Sequence, residues 1–520
     1  MAESKDINRQ IFESFKEFYA QTEFREGTGD PSLDIMLRTV KPSIAKIIES
    51  LAIPHWFNIG VIKSFFESAS ADDLTSNIDD ILTLPFIRSH HRGYAYHDVT
   101  RDNLRRYLAR KDPEYYREMC RKFVDIFEQK ERVIIEDELI WEQMYLTLSF
   151  DEQSALESLD SMIQIARQKR RFNDFESLVH IADEQKMMIS KIGKTQIDYY
   201  KGLLAFNLRR WEKADKLFQS LDIQDLKKPL ATRTHLYRGM SLEMKGSSEE
   251  AVSIYNNTLG NLMDSDVNQE LDARLHEQLA RSYLSLGDLK MAEFHVKKSI
   301  KINKERCNNF GEALNYRTLG RIYSKFQDLT DATDAFLESL KHLEIAGKEF
   351  EKAQIFSDLA TLYSSFARYK DAKNYYDKAL EVKVEAGDNY GLAFIYSNLG
   401  NLNLKVGNFD TALNHFRSSL EIFKQFKDRL NMAKVLRSIA LTHERSEDFE
   451  SSLNFIRQAV DTLPSSCKLH NSYQYDLHRN EKLLKYSKRP TWKKIVKALS
   501  IITLIVLGLI LFFYAIEFLL

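Results

Sequence analysis

The stretch Tyr396-Ser-Asn-Leu-Gly-Asn-Leu-Asn-Leu-Lys-Val-Gly-Asn-Phe-Asp-Thr-Ala-Leu-Asn-His-Phe416 decides how this chain is read. Gly400 is followed twelve residues later by Ala412 and sixteen later by Phe416, with a turn signal, Val406-Gly407-Asn408, in between. Two antiparallel helices approach closely only where side chains are small, and the adjoining hole needs a large apolar filler. The stretch therefore predicts one helical hairpin. A small residue recurs at Gly202, Gly239, Ala280, Gly320, Ala360, Gly400 and Ala440, spaced by forty over the last five. Each is followed at twelve by a second small residue (Ala214, Ala251, Ala292, Ala332, Ala372, Ala412, Ser452). At sixteen comes a filler (Phe218, Tyr255, Val296, Phe336, Tyr376, Phe416, Ile456). One hairpin leaves a face apolar; seven stacked bury a continuous core and wind into a superhelical solenoid. Pro464 follows the last unit as a terminator.

Composition agrees. The 520 residues hold 18 Gly and 8 Pro, which is about half or less of average usage, so turn-rich all-β folds, collagen-like chains and Pro/Gly disorder fit poorly. Lys plus Arg number 74 against 75 Asp plus Glu, so bulk charge recommends neither nucleic acid nor any other charged partner. Cys120, Cys307 and Cys467 lie far apart, in no metal-ligand spacing, and suit a reducing compartment.

The N-terminus is charged and has no apolar signal core. At the other end, residues 498–516 run without a charge. As a helix that run reaches roughly 30 Å, the thickness of a bilayer's hydrocarbon core. Before it, residues 479–497 carry eight basic residues against Glu481, and Trp492 and Tyr514 flank the run like interfacial anchors. The expectation is a single-pass, C-terminal tail anchor with the bulk of the chain in the cytoplasm. Lys485, Lys488, Arg489, Lys493, Lys494 and Lys497 would then face lipid headgroups.

The repeat residues resemble the tetratricopeptide (TPR) family: Tyr396-Ser-Asn-Leu-Gly-Asn401 with Ala412 and Phe416, and Leu319-Gly320 with Tyr323, Ala332 and Phe336. The resemblance covers residues 198–464. Val296, Asn403, His443 and Ser452 depart from the pattern, and the forty-residue period exceeds the family's usual length of about 34. It is similar to the extended repeats of cell-polarity scaffolds and bacterial peptide-sensing regulators. Nearer the start, Gly93-Tyr94-Ala95-Tyr96-His97-Asp98, with Arg101 behind it, resembles the closing motif of the winged-helix module in signal-transduction ATPases of the NACHT and NB-ARC type. A β-hairpin ahead of a helix over residues 100–110 is predicted. The phosphate-cradling loop those ATPases need is missing: Gly193-Lys194-Thr195 has Met188 where the first glycine belongs, and reads as a loop between helices. With no ATPase core, His97 reads as a packing or hydrogen-bonding residue.

The expected architecture is all-α: a TPR-type α-solenoid preceded by a small winged-helix-like (α+β) module and followed by a single transmembrane helix. Its segments are an N-terminal helical segment (1–30), the module (31–112), a helical connector (113–191), the array (192–465), a basic juxtamembrane linker (466–495) and the span (496–518).

Catalytic constellations fail. His276-Glu277 and His443-Glu444 begin a zinc motif, but Ala280 and Glu447 stand where the second His belongs. No metal, cofactor or small-molecule substrate is implied. Arg101, Arg105, Arg106, Arg110 and Lys111 could meet DNA, but Asp98, Asp102 and Asp112 interleave them. The first helix of each hairpin should instead line a groove for a peptide or a partner's helix. Counting from the small positions puts Arg274, Glu277, Arg281, Arg317, Arg321, Asn401, Lys434 and Arg437 in it. Arginine pairs hold carboxylates bidentately, so an acidic protein segment is the expected ligand. The expected function is a tail-anchored, non-enzymatic adaptor. The alternatives are a DNA-binding regulator and an accessory subunit of a separate ATPase.

Overall fold

The computed structural model describes residues 28, 30–40, 42–65, 71–130, 137–261, 266–463, 468–488, 496 and 499–507. The helical segment expected over 1–30 lies outside them, apart from residues 28 and 30, as does Pro464. The chain divides into two compact units, Met1–Thr258 and Leu259–Leu520.

The first unit begins with α1 (Pro31–Thr39), α2 (Pro42–Leu51), α3 (Ile59–Lys63) and α4 (Ala71–Leu82). The predicted hairpin follows as β1 (Ile87–His90) and β2 (Gly93–Tyr96), antiparallel from Ile87 opposite Tyr96 to His90 opposite Gly93, and then α5 (Asp98–Lys111). Phe57 joins the other side of β2, exchanging two backbone bonds of 2.9 and 2.8 Å with Tyr94. This close approach explains Gly93, whose φ is positive: a Cβ there would stand 2.6 Å from the Phe57 carbonyl oxygen, and only glycine takes such a backbone without penalty. Ile48, Phe57, Tyr96, Leu104, Tyr116 and Phe123 form the core. Four helices continue the unit: α6 (Pro113–Lys130), α7 (Asp137–Thr147), α8 (Glu152–Gln168) and α9 (Phe172–Glu184). Two hairpins follow, α10 (Lys191–Asn207) with α11 (Trp211–Gln219) and α12 (Lys228–Lys245) with α13 (Ser248–Gly260). Gly193-Lys194-Thr195, expected in a loop, forms the first turn of α10, which Ser190 caps by accepting from the Gly193 amide.

The second unit holds five more hairpins: α14 (Asp266–Leu286) with α15 (Leu289–Glu305), α16 (Asn309–Lys325) with α17 (Leu329–Ile345), and α18 (Lys352–Ser365) with α19 (Tyr369–Glu385). The last two are α20 (Asn389–Val406) with α21 (Phe409–Gln425) and α22 (Arg429–Arg445) with α23 (Phe449–Thr462). Every filler read from the sequence is at most 3% exposed. The fit is close: a Cβ on Gly320 or Gly400 would lie 2.8 or 2.6 Å from the Phe336 or Phe416 ring. Three hairpins add a bond the sequence did not announce, with Ser299, Ser339 and Ser419 each donating at 2.7 Å to the carbonyl of Ala273, Ala313 or Ala393 on the hairpin's first helix.

The forty-residue period comes from two helices of near-equal length, each ended by a left-handed residue. Positive φ recurs at Gly287, Cys307, Gln327, Gly347, Ala367, Gly387, Gly407, Lys427 and Glu447, a spacing of twenty. Such a residue lets the last carbonyls of a helix be satisfied while the chain reverses, and only glycine does so without strain.

Residues 468–487 lie in the stretch expected to be a linker and form α24 (Lys468–Ser487) against the last hairpin. Tyr473 and Asn480 are buried, and Ser452 Oγ donates to Asn480 Oδ1 at 2.6 Å.

The transmembrane helix of the expected architecture, and with it the tail anchor, the lipid contact and the membrane localisation, must be corrected. Among the described residues no helix is long and apolar enough to cross a membrane. The structure describes nine helical residues of the apolar run, 499–507. The rest of that run, residues 498 and 508–516, falls outside the described residues. Of the residues assigned to the membrane surface, Lys485 lies in α24, and Lys488 pairs with Glu450 of the last hairpin at 2.7 Å. Arg489, Lys493, Lys494 and Lys497 lie outside the described residues.

Candidate partner-binding face

Successive first helices in the second unit touch through one recurrent face. Arg317 on α16 donates from Nε to Asp358 Oδ2 on α18 at 2.6 Å, and also bonds Gln354 one turn earlier. Arg321, the next turn of α16, lies 3.6 Å from the other oxygen of Asp358. Arg281 on α14 is close enough to act on the charge of Arg321. Asp358 favours the Arg321 charge, but partial desolvation and the like charges of Arg317 and Arg281 outweigh it and hold its pKa below the usual arginine value. On α14, burial raises the Glu277 carboxyl above its ordinary value, opposed by Arg281 and Arg274.

At the far end, Arg437 on α22 donates to Asp476 of α24 at 2.6 Å. Its guanidinium packs 5.3 Å from the Tyr473 ring centre, where the face of the ring attracts a cation. Lys434 is exposed, 3.3 Å from Asn431 Oδ1. Asn401 is exposed on α20 between the two groups. The residues expected in the groove thus separate into an arginine-rich group on α14 and α16 and a pair on α22. Sequence reasoning missed the acids that position them. Asp358 lies one turn from both Gln354 and Thr361, which occupy the columns of Arg274 and Arg281, and the same counting could have found it. Asp476 had no such signal.

Family models described as tetratricopeptide repeat match residues 273–306, 353–386 and 391–465. These hairpins are tetratricopeptide repeats. No curated protein matches the chain. Among solved structures, a signal-transduction ATPase with numerous domains and a tetratricopeptide repeat sensor, from Pyrococcus horikoshii, is 12% identical. Its TM-score is 0.50 over 88% of this chain, and the chain spans 62% of that structure's length. A Rap protein complexed with competence and sporulation factor is 13% identical, with a TM-score of 0.46 over 73% of this chain and 98% of its own. Aspartyl phosphate phosphatase F from Bacillus subtilis is also 13% identical, with a TM-score of 0.44 over 70% and 92%. Tetratricopeptide repeats are a protein-interaction scaffold. Among the described residues, no group of three or more His, Cys, Asp or Glu could hold a metal ion.

Ahead of the repeats, the first unit buries a cluster of charges. His55 Nδ1 lies 2.8 Å from Glu142 Oε2 on α7, and its Nε2 lies 3.4 Å from Glu184 at the end of α9. Arg101 on α5 reaches Glu184 at 2.7 Å, the Ile53 and Pro54 carbonyls, and the Tyr145 hydroxyl. Arg105 donates to the Glu184 carbonyl and to Asp102. Burial works against the Glu184 charge, but His55 and Arg101 overcome it and hold its carboxyl far below the usual range. Arg101 and Arg105 are 7% and 2% exposed, so neither is the surface cation its sequence suggested. His97, expected to pack or to bond, is exposed and makes no side-chain cap at the start of α5.

Proposed function

We propose that this chain is a non-enzymatic interaction protein whose repeat face on α14–α22 captures an acidic segment of a partner protein. The observation that carries the reading is the pair Arg317 and Arg321 on the one carboxylate of Asp358, with Arg281 near Arg321. That group has a surplus of cations with planar, forked donors, the chemistry that recognises carboxylates bidentately. The repeat sensor of the Pyrococcus horikoshii protein is in keeping with a sensing role. The DNA-binding alternative loses two of its five cations, because Arg101 and Arg105 are buried in internal pairs. The helix before the hairpin, α4, carries Asp72, Asp73, Asp79 and Asp80 and no Lys or Arg.

The test is fluorescence anisotropy with a labelled Asp/Glu-rich peptide and its Asn/Gln counterpart. Arg317→Glu with Arg321→Glu should weaken the acidic peptide by about tenfold or more, as expected when bidentate charge pairs are lost. Equal binding of both peptides, or no loss in the double variant, overturns the reading.

A further inference from the structure

The junction that follows α21 gathers aromatic rings at the surface. Phe426, at the end of α21, is 52% exposed, whereas the equivalent position forty residues earlier is Ala386 and eighty earlier Ala346. Phe394 on α20 is 40% exposed, and its equivalent on α18 is Gln354. Phe416 and Phe423 fill the core of this hairpin at 0% and 1% exposure, and Phe394 only caps Phe423 from outside, with ring centres 5.0 Å apart. Between the exposed rings lies Tyr390, 5.2 Å from each, its hydroxyl donating to Asp428 Oδ2 at 2.7 Å. Leu430, 42% exposed, begins the next helix one turn before Lys434.

The charge beside this patch has one sign to spare. Asp428 is occupied by Tyr390 and by the Asn431 amide and side chain, and Asp476 by Arg437. Among the described residues the exposed Lys427 side chain has no hydrogen bond or ion pair, and Lys434 bonds the Asn431 amide oxygen and acts on the Asp428 charge. Lys427, Arg429 and Lys434 outnumber Asp428 here, and apolar surface beside an excess of cations suits a ligand that is apolar and acidic together.

We infer that Phe394, Tyr390, Phe426 and Leu430 form an anchor subsite for one bulky apolar side chain of a partner peptide whose neighbouring carboxylates meet Lys427 and Lys434. This rests on the interaction reading above and adds its specificity: the arginines of α14 and α16 supply charge attraction, and the aromatic patch chooses among acidic segments. A few buried aromatic contacts commonly dominate such interfaces.

The experiment selects phage-displayed random peptides of about twelve residues, long enough for an extended segment, on the immobilised full chain. It is repeated on Phe394→Gln/Phe426→Ala, residues that neighbouring repeats already carry at these positions, and on Arg317→Glu/Arg321→Glu. The wild type should enrich peptides with a Phe, Trp, Leu or Met beside two or more Asp or Glu. The aromatic variant should enrich acidic peptides without the apolar residue, and should bind a wild-type-selected peptide about tenfold more weakly, the scale of one lost anchor. Acidic enrichment with no apolar preference in the wild type, or the same preference in the aromatic variant, overturns the subsite and leaves the arginine reading standing. Apolar preference that survives in the arginine variant with unchanged acidity supports the subsite and removes the arginine reading. A wild type that enriches nothing overturns both. If sedimentation velocity shows that the wild type self-associates and the aromatic variant does not, the occupant is a second copy and the proposal falls.

Discussion

Arg101 and Phe416 fasten helices in opposite ways. Around Arg101, residues from α5, α7, α9 and the segment before α3 are joined by buried charges, each useless without its partners. Around Phe416 a ring presses on the backbone of Gly400 inside the same hairpin, and no charge takes part. The first device ties together elements far apart in sequence and makes removal of one member costly; the second is local and repeats. Their failures should differ accordingly.

The largest effect should come from Arg101→Met, which leaves Glu184 and two carbonyls without their cation. Removing one partner of a buried pair costs about 3–5 kcal/mol. Denaturant unfolding followed by hydrogen exchange should show the loss in the first unit. A cost below about 1 kcal/mol, the worth of an exposed pair, would erase the contrast. Next comes Phe416→Ala, at about 3–4 kcal/mol for an aromatic removed from a packed site. The deficit should appear in the protection of α20 and α21, whereas Gly400→Ala should cost about 1–3 kcal/mol through overpacking alone.

Acid and base should separate the two regions further. In the second unit His276 and His295 are buried with their Nδ1 atoms 2.8 Å apart, a neutral pair in which one donates to the other. Burial lowers both to about 4, with Lys298 adding to the effect on His276 and His276 to that on His295; Asp272 lies 3.5 Å from the outer nitrogen of His276. Because the folded value is below the unfolded one of about 6.5, the unfolded chain binds more protons between the two. Stability from this pair is therefore present above pH 6.5 and lost as pH falls toward 4, by about 2 kcal/mol after allowing for coupling. In the first unit His55 behaves in the opposite sense: burial and Arg101 oppose its charge, but Glu142, helped by Glu184, outweighs them and raises the pKa. Its contribution is present below the unfolded value and fades as pH rises through the folded one. Below about pH 6.5 the urea midpoint of a probe in the second unit should fall while that of one in the first unit holds, and above it the first should fall while the second holds; loss in both units on the same side would contradict the assignment. The smallest effect is a gain. Ala367 holds a left-handed backbone where Gly287 and Gly407 end equivalent helices. Ala367→Gly should therefore add up to about 1 kcal/mol. Thermal unfolding checks it.

The same contrast governs what the sequence discloses. Small and large residues at i, i+12 and i+16 lie in one hairpin, so their spacing alone carries the packing, and the β-hairpin around Gly93 was legible for the same local reason. His55, Arg101, Glu142 and Glu184 are separated by tens of residues, and each by itself looks like a solvated polar residue. More than half of the left-handed helix ends in the second unit are non-glycine, and Ala367, Lys427 and Glu447 gave no turn signal. The buried side of α24 includes Asp476 and Asn480, which break the apolar periodicity that would have marked a helix. On the face formed by the first helices, the columns of Arg317 and Arg321 followed from counting, whereas the acids that hold them, and the exposure of Phe394 and Phe426, needed three dimensions.

The left-handed residues at every twentieth position have a further implication for how such a chain can change length. Gly347 and Gly387 are conformationally equivalent junctions, as are Gly387 and Lys427. Excising residues 348–387 would rejoin like to like, and duplicating them would insert a whole unit without disturbing the phase of any neighbour. Genetic deletion or duplication in multiples of forty codons thus keeps the phase of the junctions, and it would bring the aromatic patch nearer to the arginines, or carry it farther away, by whole steps.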